Sequence, residues 1–280
     1  MMQKTKEKVL KVGMHDEDKF DREKRIPWIK FNLIQKSRVL VVGAGALGNE
    51  VGKNLVLSGF KKISIVDMDK IVKSNLSRCA LFKVEDVEKG YLKAEVLARE
   101  LKKIDPSVEV SWYSRAIQEL PEDFLKQFDI VFGCLDNIMA RLYINSHAYY
   151  YGIPLVDGGT LGTSGKVQVV IPPKTACIEC GMNKTHFKNL EQIFSCSGRE
   201  DVTIYSPKLP AEITTTAVIA ALQVLTGIKI ISKQYDALPQ NLIYYDGYRN
   251  VFEVLEVPIN KNCPNHIMEK STKGKKKQPE

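Results

Sequence analysis

Apolar residues recur along the chain in short runs that end on glycine, aspartate or cysteine. The runs are RVLVVG (38–43), KISIVD (62–67), DIVFGC (129–134) and PLVDGG (154–159). Short runs that are apolar throughout are typical of parallel strands buried on both faces. Between them lie the helix-like segments KAEVLARELKKI (93–104) and NIMARLYINSHAYYYG (137–152). This alternation predicts an α/β fold with a doubly wound, Rossmann-like, mostly parallel sheet.

The pattern changes after residue 165. GKVQVVIP (165–172) is typical of a strand, and ITTTAVIAALQVLTG (213–227) of a buried helix. NLIYYDGYRNVFEVLEV (241–257) predicts a hairpin with its turn near Asp246 and Gly247. We therefore expect an additional antiparallel portion beside the parallel strands.

A glycine-rich motif follows the first predicted strand. VVGAGALGNE places Gly43, Gly45 and Gly48 in a G-x-G-x-x-G at the start of a helix. Such glycines let backbone N–H groups approach phosphate or ribose, and the helix N-terminus favours negative charge. Asp67 ends the next strand, where a carboxylate can accept ribose hydroxyls. An NAD-dependent dehydrogenase would share these features, so they predict only a nucleotide site.

Charged residues farther along the chain favour a triphosphate. DMDKIVKSNLSR contains Asp69, Asn75 and Arg78, and Lys93 begins the next helical segment. Cationic groups neutralise the charge that builds up during attack at phosphorus. Asp136 follows the fourth strand, where a carboxylate can hold Mg²⁺ against phosphates. Each residue alone could be an ordinary surface residue at a strand end, but their joint placement favours ATP.

Three of the six cysteines, together with one histidine, fall into two short motifs. Cys177 and Cys180 form a C-x-x-C, and Cys263 with His266 forms a C-x-x-H far downstream. Two such pairs meet the tetrahedral requirement of a structural Zn²⁺ site. The alternative is a buried thiol pair with an unrelated cysteine and histidine at the surface. Cys79 and Cys134, which lie outside these motifs, are expected to be small buried residues without catalytic duty.

Composition and charge narrow the classes of function. The chain has 280 residues, 44% of them hydrophobic, enough for a sizeable core. Of the net charge of +8, residues 1–25 carry +2 and residues 269–280 carry +3, leaving +3 for the body, which disfavours nucleic-acid binding. The charged start lacks a secretory signal, and no uninterrupted apolar stretch approaches the roughly 18 residues of a membrane span. We expect a cytoplasmic protein that does not enter a membrane.

The motifs together resemble a known family. VVGAGALGNE, DMDKIVKSNLSR, LDNIMAR, DGGTLGTSGKVQVVIPPKTACIEC and TAVIAALQV are similar to the adenylation domain of ubiquitin-activating enzymes. That family also includes bacterial adenylyltransferases that activate sulfur-carrier proteins. The similarity covers roughly residues 17 to 267 and implies an adenylation domain at 17–268. We expect a flexible segment at 1–16 and a disordered basic tail at 269–280.

The resemblance implies roles for individual residues. Asp67 matches the residue that binds the ATP ribose, and Asp136 the aspartate linked to Mg²⁺. Asn75, Arg78 and Lys93 match residues that bind the phosphates. Two extra residues separate Arg78 from Lys93 relative to the usual spacing, so Lys89 is an alternative.

The segment KFDRE (19–23) resembles the family's Arg-Tyr-x-Arg-Gln segment. The match places Arg22 at the arginine that reaches into a partner's active site, which implies a dimer, here expected to be a homodimer. Lys19 and Phe20 replace the Arg-Tyr pair of the family.

Cys196 lies in FSCS, 16 residues after Cys180. In the branch that this sequence resembles, a cysteine at a similar place, in a Phe-Pro-x-Cys-Thr context, accepts the modifier as a thioester. The large enzymes of the family carry a whole catalytic domain after that cysteine, whereas here a short loop (about 181–209) precedes the next helix. An incidental exposed cysteine is the alternative.

The resemblance implies ATP-dependent activation of a ubiquitin-like protein ending in Gly-Gly, thioester formation on Cys196 and transfer to a conjugating enzyme. The rival is a sulfur-carrier adenylyltransferase of the molybdopterin, thiamine or tRNA-thiolation type. A non-catalytic scaffold and an NAD-dependent oxidoreductase are further alternatives. The scaffold is disfavoured because Asp67, Arg78, Lys93 and Asp136 are all present, and the oxidoreductase because no hydride-transfer site is evident.

Overall fold

The computed structural model describes residues 15–182 and 210–267. Within these ranges eight strands form one sheet, in the spatial order β3-β2-β1-β4-β5-β6-β7-β8. The strands are Arg38–Val42 (β1), Lys62–Val66 (β2), Glu109–Tyr113 (β3), Ile130–Gly133 (β4), Leu155–Leu161 (β5), Ser164–Val170 (β6), Leu242–Asp246 (β7) and Val251–Leu255 (β8).

The helices connect and cover these strands. They are Asp21–Lys24 (α1), Phe31–Lys36 (α2), Ala46–Leu57 (α3), Val84–Glu88 (α4), Lys93–Ile104 (α5), Ile138–Tyr151 (α6) and Ile213–Ile231 (α7). Short 3-10 turns lie at Lys73–Asn75, Ile117–Glu119, Phe124–Gln127, Ile178–Gly181 and Tyr235–Ala237.

The parallel half of the sheet confirms the predicted α/β architecture. β1 pairs in parallel with β2 on one side and with β4 on the other, and β5 extends the parallel set beyond β4. The strand order reverses at β1, so the crevice at the carboxyl ends of β1 and β4 is a topological switch point. In open α/β sheets, ligands bind at such a point.

One parallel strand was not predicted from the sequence. β3 (Glu109–Tyr113) pairs with β2 alone at the sheet edge. Only Val110 of its five residues is buried, whereas the central strands are buried almost throughout. The search for continuous apolar runs finds central strands and misses an edge strand of this kind.

Two hydrophobic cores lie on opposite faces of the sheet, as a doubly wound fold requires. One contains the apolar side chains of α3, α5 and α7, and the other those of α6. Leu40 and Val41, neighbours on β1, belong to different cores because successive side chains on a strand point to opposite faces. Both faces of the central strands are therefore covered.

The antiparallel portion follows as predicted. β6 pairs antiparallel with β5 and β7, and β8 closes the hairpin. The helix before the hairpin is longer than expected, since α7 runs past Gly227 to Ile231.

By length and composition α7 could cross a membrane, but 56% of its most apolar stretch is buried inside the protein. Its fully buried Gln223 donates to the carbonyls of Gly133 and Val156 on β4 and β5. These contacts are those of a core helix packed on the sheet.

Candidate nucleotide and metal sites

The glycine-rich loop sits at the carboxyl end of β1. Gly43 has a φ of +100°, and its N–H donates to the Val66 carbonyl at 2.8 Å. A Cβ on Gly43 would lie 2.4 Å from the Cys134 carbonyl oxygen, and one on Gly48 would lie 1.9 Å from that of Gly43. Both glycines are therefore required by close backbone packing. A Cβ on Gly45 would meet no atom within 4 Å, so Gly45 borders open space where a ligand can approach.

Asp67 links this loop to the end of β2. Its two carboxylate oxygens accept hydrogen bonds from the backbone N–H groups of Ala44, at 2.7 Å, and Asp69, at 2.8 Å. Burial raises the pKa of Asp67, although the charge of Lys93 opposes the rise. Each oxygen can accept a further hydrogen bond, as from a ribose hydroxyl.

Lys93 begins α5 and points at the same edge. Its largely buried ammonium lies 2.6 Å from the Asp69 carboxylate. Burial would lower the pKa of Lys93, but Asp67, Asp69 and Asp136 outweigh it and raise that pKa. The side chain therefore stays cationic at neutral pH in a cluster of three carboxylates.

Asn75 and Arg78 lie on the loop between β2 and α4. Asn75 is buried, and its side-chain oxygen accepts a hydrogen bond from the Val72 N–H at 2.9 Å, so it shapes the 3-10 turn. The Arg78 guanidinium donates to the Ser74 carbonyl at 2.5 Å and is only partly buried. The turn therefore holds Arg78 at the surface of the loop.

Asp136 lies in the exposed loop between β4 and α6. Its negative charge contributes to the raised pKa of Lys93, after Asp67 and Asp69, although the two residues are far apart in sequence. An exposed carboxylate at the carboxyl end of a strand is a chemically suitable ligand for Mg²⁺. The structure thus brings the glycine loop, Asp67, Lys93 and Asp136 to one edge of the sheet.

The segment that carries Arg22 is anchored at the opposite edge. The Phe20 ring packs on Phe31, with ring centroids 5.0 Å apart, and Phe31 fills the space where a Cβ on Gly59 would stand. Lys19 forms an ion pair with Asp105 at 2.7 Å. Gly59 and Asp105 lie just before β2 and β3, at the amino ends of these strands.

The structure does not bring Arg22 to the other predicted residues. Its side chain is 81% exposed and pairs with Asp16 at 3.3 Å. Asp67 stands at the far end of β2, and a strand of five residues spans about 16 Å. Arg22 therefore cannot complete the nucleotide site of its own chain without moving away from this anchor.

The four predicted metal ligands come together. The ligand atoms of Cys177, Cys180, Cys263 and His266 all lie within 4.8 Å of one another. The Cys177 sulfur is 3.8 Å from that of Cys180 and 3.5 Å from that of Cys263. Zinc–sulfur bonds of about 2.3 Å give tetrahedral edges of about 3.8 Å. This cluster can therefore hold a zinc ion with little rearrangement.

Neighbouring side chains orient the ligands. The Tyr149 hydroxyl lies 2.8 Å from Nδ1 of His266, and the Asn265 amide donates to the Cys177 sulfur at 3.4 Å. A hydrogen bond on one ring nitrogen orients a histidine that binds metal through the other. Asn145 also accepts from the Ile178 N–H at 2.9 Å, so α6 holds the C-x-x-C turn.

Two further cysteines are buried, as expected. Burial raises the pKa of Cys79 to about 11 and raises that of Cys134. Both thiols therefore stay protonated at neutral pH. Cys196 lies outside the described residues.

A buried cluster of polar side chains beside the site was not predicted from the sequence. Arg141 forms an ion pair with Asp157 at 3.3 Å, and Gln223 lies close by, against Gly158. The signal was present, because Asp157 interrupts an apolar strand and Gln223 an apolar helix. A polar residue at a core position needs a partner.

The comparisons with known proteins identify the family. A model described as the ThiF family matches residues 26–265. The chain belongs to the ThiF family. This match covers the nucleotide site and three of the four metal ligands, and it confirms the resemblance seen in the sequence.

Curated relatives of this ThiF-family chain include activating enzymes for small protein modifiers. SUMO-activating enzyme subunit 2 of Dictyostelium discoideum is 40% identical over 152 residues, 54% of this chain and 23% of the relative. The NEDD8-activating enzyme E1 catalytic subunit of Caenorhabditis elegans is 36% identical over 181 residues, 58% of this chain and 42% of the relative. The chain therefore spans less than half the length of these relatives.

Solved structures show the same fold. E. coli MccB, in a structure with ATP, superposes with a TM-score of 0.73 at 22% identity, covering 91% of this chain and 75% of MccB. MccB, described as a Microcin C7 biosynthetic enzyme, was also solved in complex with N-formylated MccA. The ThiF fold thus serves proteins beyond the modifier-activating enzymes.

Proposed function

We propose that this protein adenylates the C-terminal carboxylate of a ubiquitin-like protein that ends in Gly-Gly. One observation carries the proposal: the glycine loop, Asp67, Lys93 and Asp136 converge at the switch point of the sheet. The SUMO- and NEDD8-activating relatives support the class of substrate. The structure of MccB with ATP supports the nucleotide.

The proposed step needs little from the protein beyond position and charge. A modifier carboxylate, already ionised at neutral pH, forms a bond from its oxygen to the α-phosphorus of ATP. The bond from that phosphorus to the oxygen bridging the α- and β-phosphates breaks, and pyrophosphate leaves with the electron pair. No proton is transferred, so no general base is needed. Arg78 and Lys93 would bind the phosphates and neutralise the developing charge.

Two groups would position the nucleotide. Asp67 would accept the ribose hydroxyls, and Asp136 would bind the Mg²⁺ that accompanies ATP, which supplies positive charge beside the phosphates. The Lys93 ammonium, whose pKa is raised by the charges of both carboxylates, would orient the phosphates relative to them.

A second copy of the chain would complete the site. Arg22 is exposed and anchored at the amino edge of the sheet, away from its own nucleotide site. We therefore propose a homodimer in which Arg22 of one protomer reaches the phosphates bound by the other. Heterologous pairing with a related subunit is the alternative.

The zinc ion would be structural. The cluster joins the C-x-x-C turn beside α6 to the C-terminal end of the described chain, so metal would contribute directly to folding. Metal analysis of freshly purified protein should find one zinc per chain. Finding none would remove this part of the proposal.

Cys196 would accept the acyl group as a thioester and pass it to a conjugating enzyme. The variant Cys196→Ala should still form the acyl-adenylate but give no adduct that a thiol reductant releases, whereas Cys79→Ala should give one. A reducible thioester in Cys196→Ala would exclude this role.

The rival function is adenylation of a sulfur-carrier protein. This alternative is kept because only residues 182–212 separate the C-x-x-C turn from α7, too few for a large catalytic domain at this place in the chain. Both functions use the same ATP site and differ in the fate of the acyl-adenylate. A thiocarboxylate on the carrier, formed with a sulfur donor, would favour the rival.

Exchange of radioactive pyrophosphate into ATP tests the shared step. We expect exchange that requires both Mg²⁺ and a modifier with an intact C-terminus. Exchange absent with every ubiquitin-like protein and every sulfur-carrier protein from the same genome would favour a non-catalytic scaffold. The cytoplasmic location remains a prediction from the sequence.

A further inference from the structure

Arg141 holds the loop that carries Asp136. Its Nε donates to the Leu135 carbonyl at 2.8 Å, and its Nη2 donates to the same oxygen and to the Gly158 carbonyl, at 2.9 Å from the latter. Leu135 immediately precedes Asp136, so a peptide next to the carboxylate is fixed to α6 and β5 at once. The side chain is only 13% exposed, which restricts its motion.

Asp157 fixes Arg141 in turn. Its Oδ2 accepts from Nη1 of Arg141 at 3.3 Å, and the residue is 1% exposed. Neighbouring strands leave room for the pair because they carry glycine. A Cβ on Gly133 would lie 2.5 Å from Oδ1 of Asp157, and one on Gly159 would lie 2.8 Å from Nη2 of Arg141.

Stability alone does not account for this ion pair. Oδ1 of Asp157 has no hydrogen-bond partner among the described residues, and burial raises the pKa of this carboxyl despite Arg141. A buried pair of this kind is often replaced by apolar residues without loss of stability. A guanidinium, however, presents donors in a rigid plane that can hold two carbonyls and a carboxylate together.

We propose that Arg141 is a positioning residue of the nucleotide site, which positions Asp136 by fixing the adjacent Leu135 carbonyl. Asp157 acts through Arg141 and touches no substrate. The consequence for Mg²⁺ binding rests on the function proposed above. The inference that Arg141 orders the loop after β4 does not depend on that function.

The variant Arg141→Lys separates position from charge. It keeps a cation beside Asp157 but cannot reproduce the planar set of donors. We expect the Mg²⁺ concentration that half-saturates ATP binding to rise about tenfold, because groups that orient a metal ligand contribute on this scale. ATP affinity without Mg²⁺ and the thermal midpoint should stay near wild type. Arg38→Lys is the matched control, because Arg38 lies at the amino end of β1, away from the loop after β4.

A second readout needs no nucleotide. Amide hydrogen exchange at residues 136–139 should accelerate about tenfold in Arg141→Lys, with α7 unchanged. Asp157→Asn should likewise raise the Mg²⁺ requirement and accelerate amide exchange. It takes the place of Arg141→Lys if Arg141→Lys does not fold. A folded variant with wild-type Mg²⁺ dependence and wild-type exchange would overturn the proposal. If the wild-type protein binds no ATP, the proposed function fails, and the exchange result alone decides the positioning role.

Discussion

The ammonium of Lys93 lies 2.6 Å from the carboxylate of Asp69, and the Lys93 backbone N–H donates to the Asp69 carbonyl at 2.9 Å. Two hydrogen bonds thus join the first residue of α5 to the loop after β2. They fix the position of Lys93 whatever the length of chain between the two motifs. Lys89, the alternative, is exposed and lies over the Tyr91 ring.

Replacing Lys93 should therefore abolish most of the activity. In Lys93→Met we expect modifier-dependent pyrophosphate exchange to fall about a hundredfold, since a preorganised charge at a reacting phosphate contributes on this scale. Lys89→Met, the matched control, should retain exchange within about twofold of wild type. A larger loss of pyrophosphate exchange in Lys89→Met than in Lys93→Met would identify Lys89 as the phosphate ligand.

Substitution of Gly45 should affect ATP binding, whereas substitution of Gly48 should affect the stability of the fold. Gly45→Ala should fold normally, because a Cβ there meets no protein atom, yet should weaken ATP binding by obstructing the open space. Gly48→Ala should lower the free energy of unfolding, by about 2 kcal/mol or more, because its Cβ would overlap the Gly43 carbonyl. Calorimetric titration with ATP and urea unfolding measure the two effects. Unchanged ATP affinity in Gly45→Ala would place the nucleotide elsewhere.

Subunit mixing tests whether Arg22 acts across a dimer. Arg22→Met and Lys93→Met should each be inactive alone. When the two variants are mixed, about half of the dimers contain one subunit of each kind. If sites are shared, each mixed dimer has one intact site of two, so pyrophosphate exchange should recover to about a quarter of the wild-type rate. No recovery, although mixed dimers form, would show that Arg22 serves its own chain. Wild-type activity of Arg22→Met alone would show that Arg22 has no catalytic role.

Asp105 anchors the Arg22 segment and should make stability depend on acid pH. Burial opposes its charged form, but hydrogen bonds from Lys19, Lys61 and Ser107 outweigh it and lower the pKa of Asp105. A lowered pKa contributes stability above the unfolded value, about 3.9, and that contribution is lost as the pH falls through the folded value. Asp105→Asn should therefore lower the free energy of unfolding at pH 7 by about 2 kcal/mol.

The difference in the free energy of unfolding between Asp105→Asn and wild type should become smaller as the pH falls below about 4. Urea unfolding at several pH values measures it. Asp123→Asn is the control, because Asp123 is exposed and its nearest lysine nitrogen is 3.9 Å away. A constant difference across this range would mean that the ion pairs of Asp105 contribute little.

The central strands and the metal cluster could be predicted from sequence because their signals are local or chemically specific. Continuous apolar runs identify β1, β2, β4 and β5, which are buried on both faces. The C-x-x-C and C-x-x-H pairs predict a shared ion although 86 residues separate Cys177 from Cys263. The chemistry of metal ligands thus predicts a contact between residues far apart in sequence, which hydrophobic periodicity cannot predict.

Other features depend on tertiary placement and could not be predicted. β3 is a strand because it joins an existing sheet edge, and Arg141 matters because folding brings it to Asp157 and Gly158 on β5. The anchoring of Arg22 at the amino edge likewise depends on a contact between Phe20 and Phe31, which no motif contains. The local sequence specifies none of these three arrangements.

The most direct test of adenylation is the fate of the α-phosphate of ATP. The protein is incubated with Mg²⁺ and a ubiquitin-like protein ending in Gly-Gly, using ATP labelled at either the α- or the γ-phosphate. We predict that the modifier acquires α-label but no γ-label, and that a modifier with an amidated C-terminus acquires neither. Labelling from γ-labelled ATP, or labelling of the amidated modifier, would contradict attack by the C-terminal carboxylate on the α-phosphate.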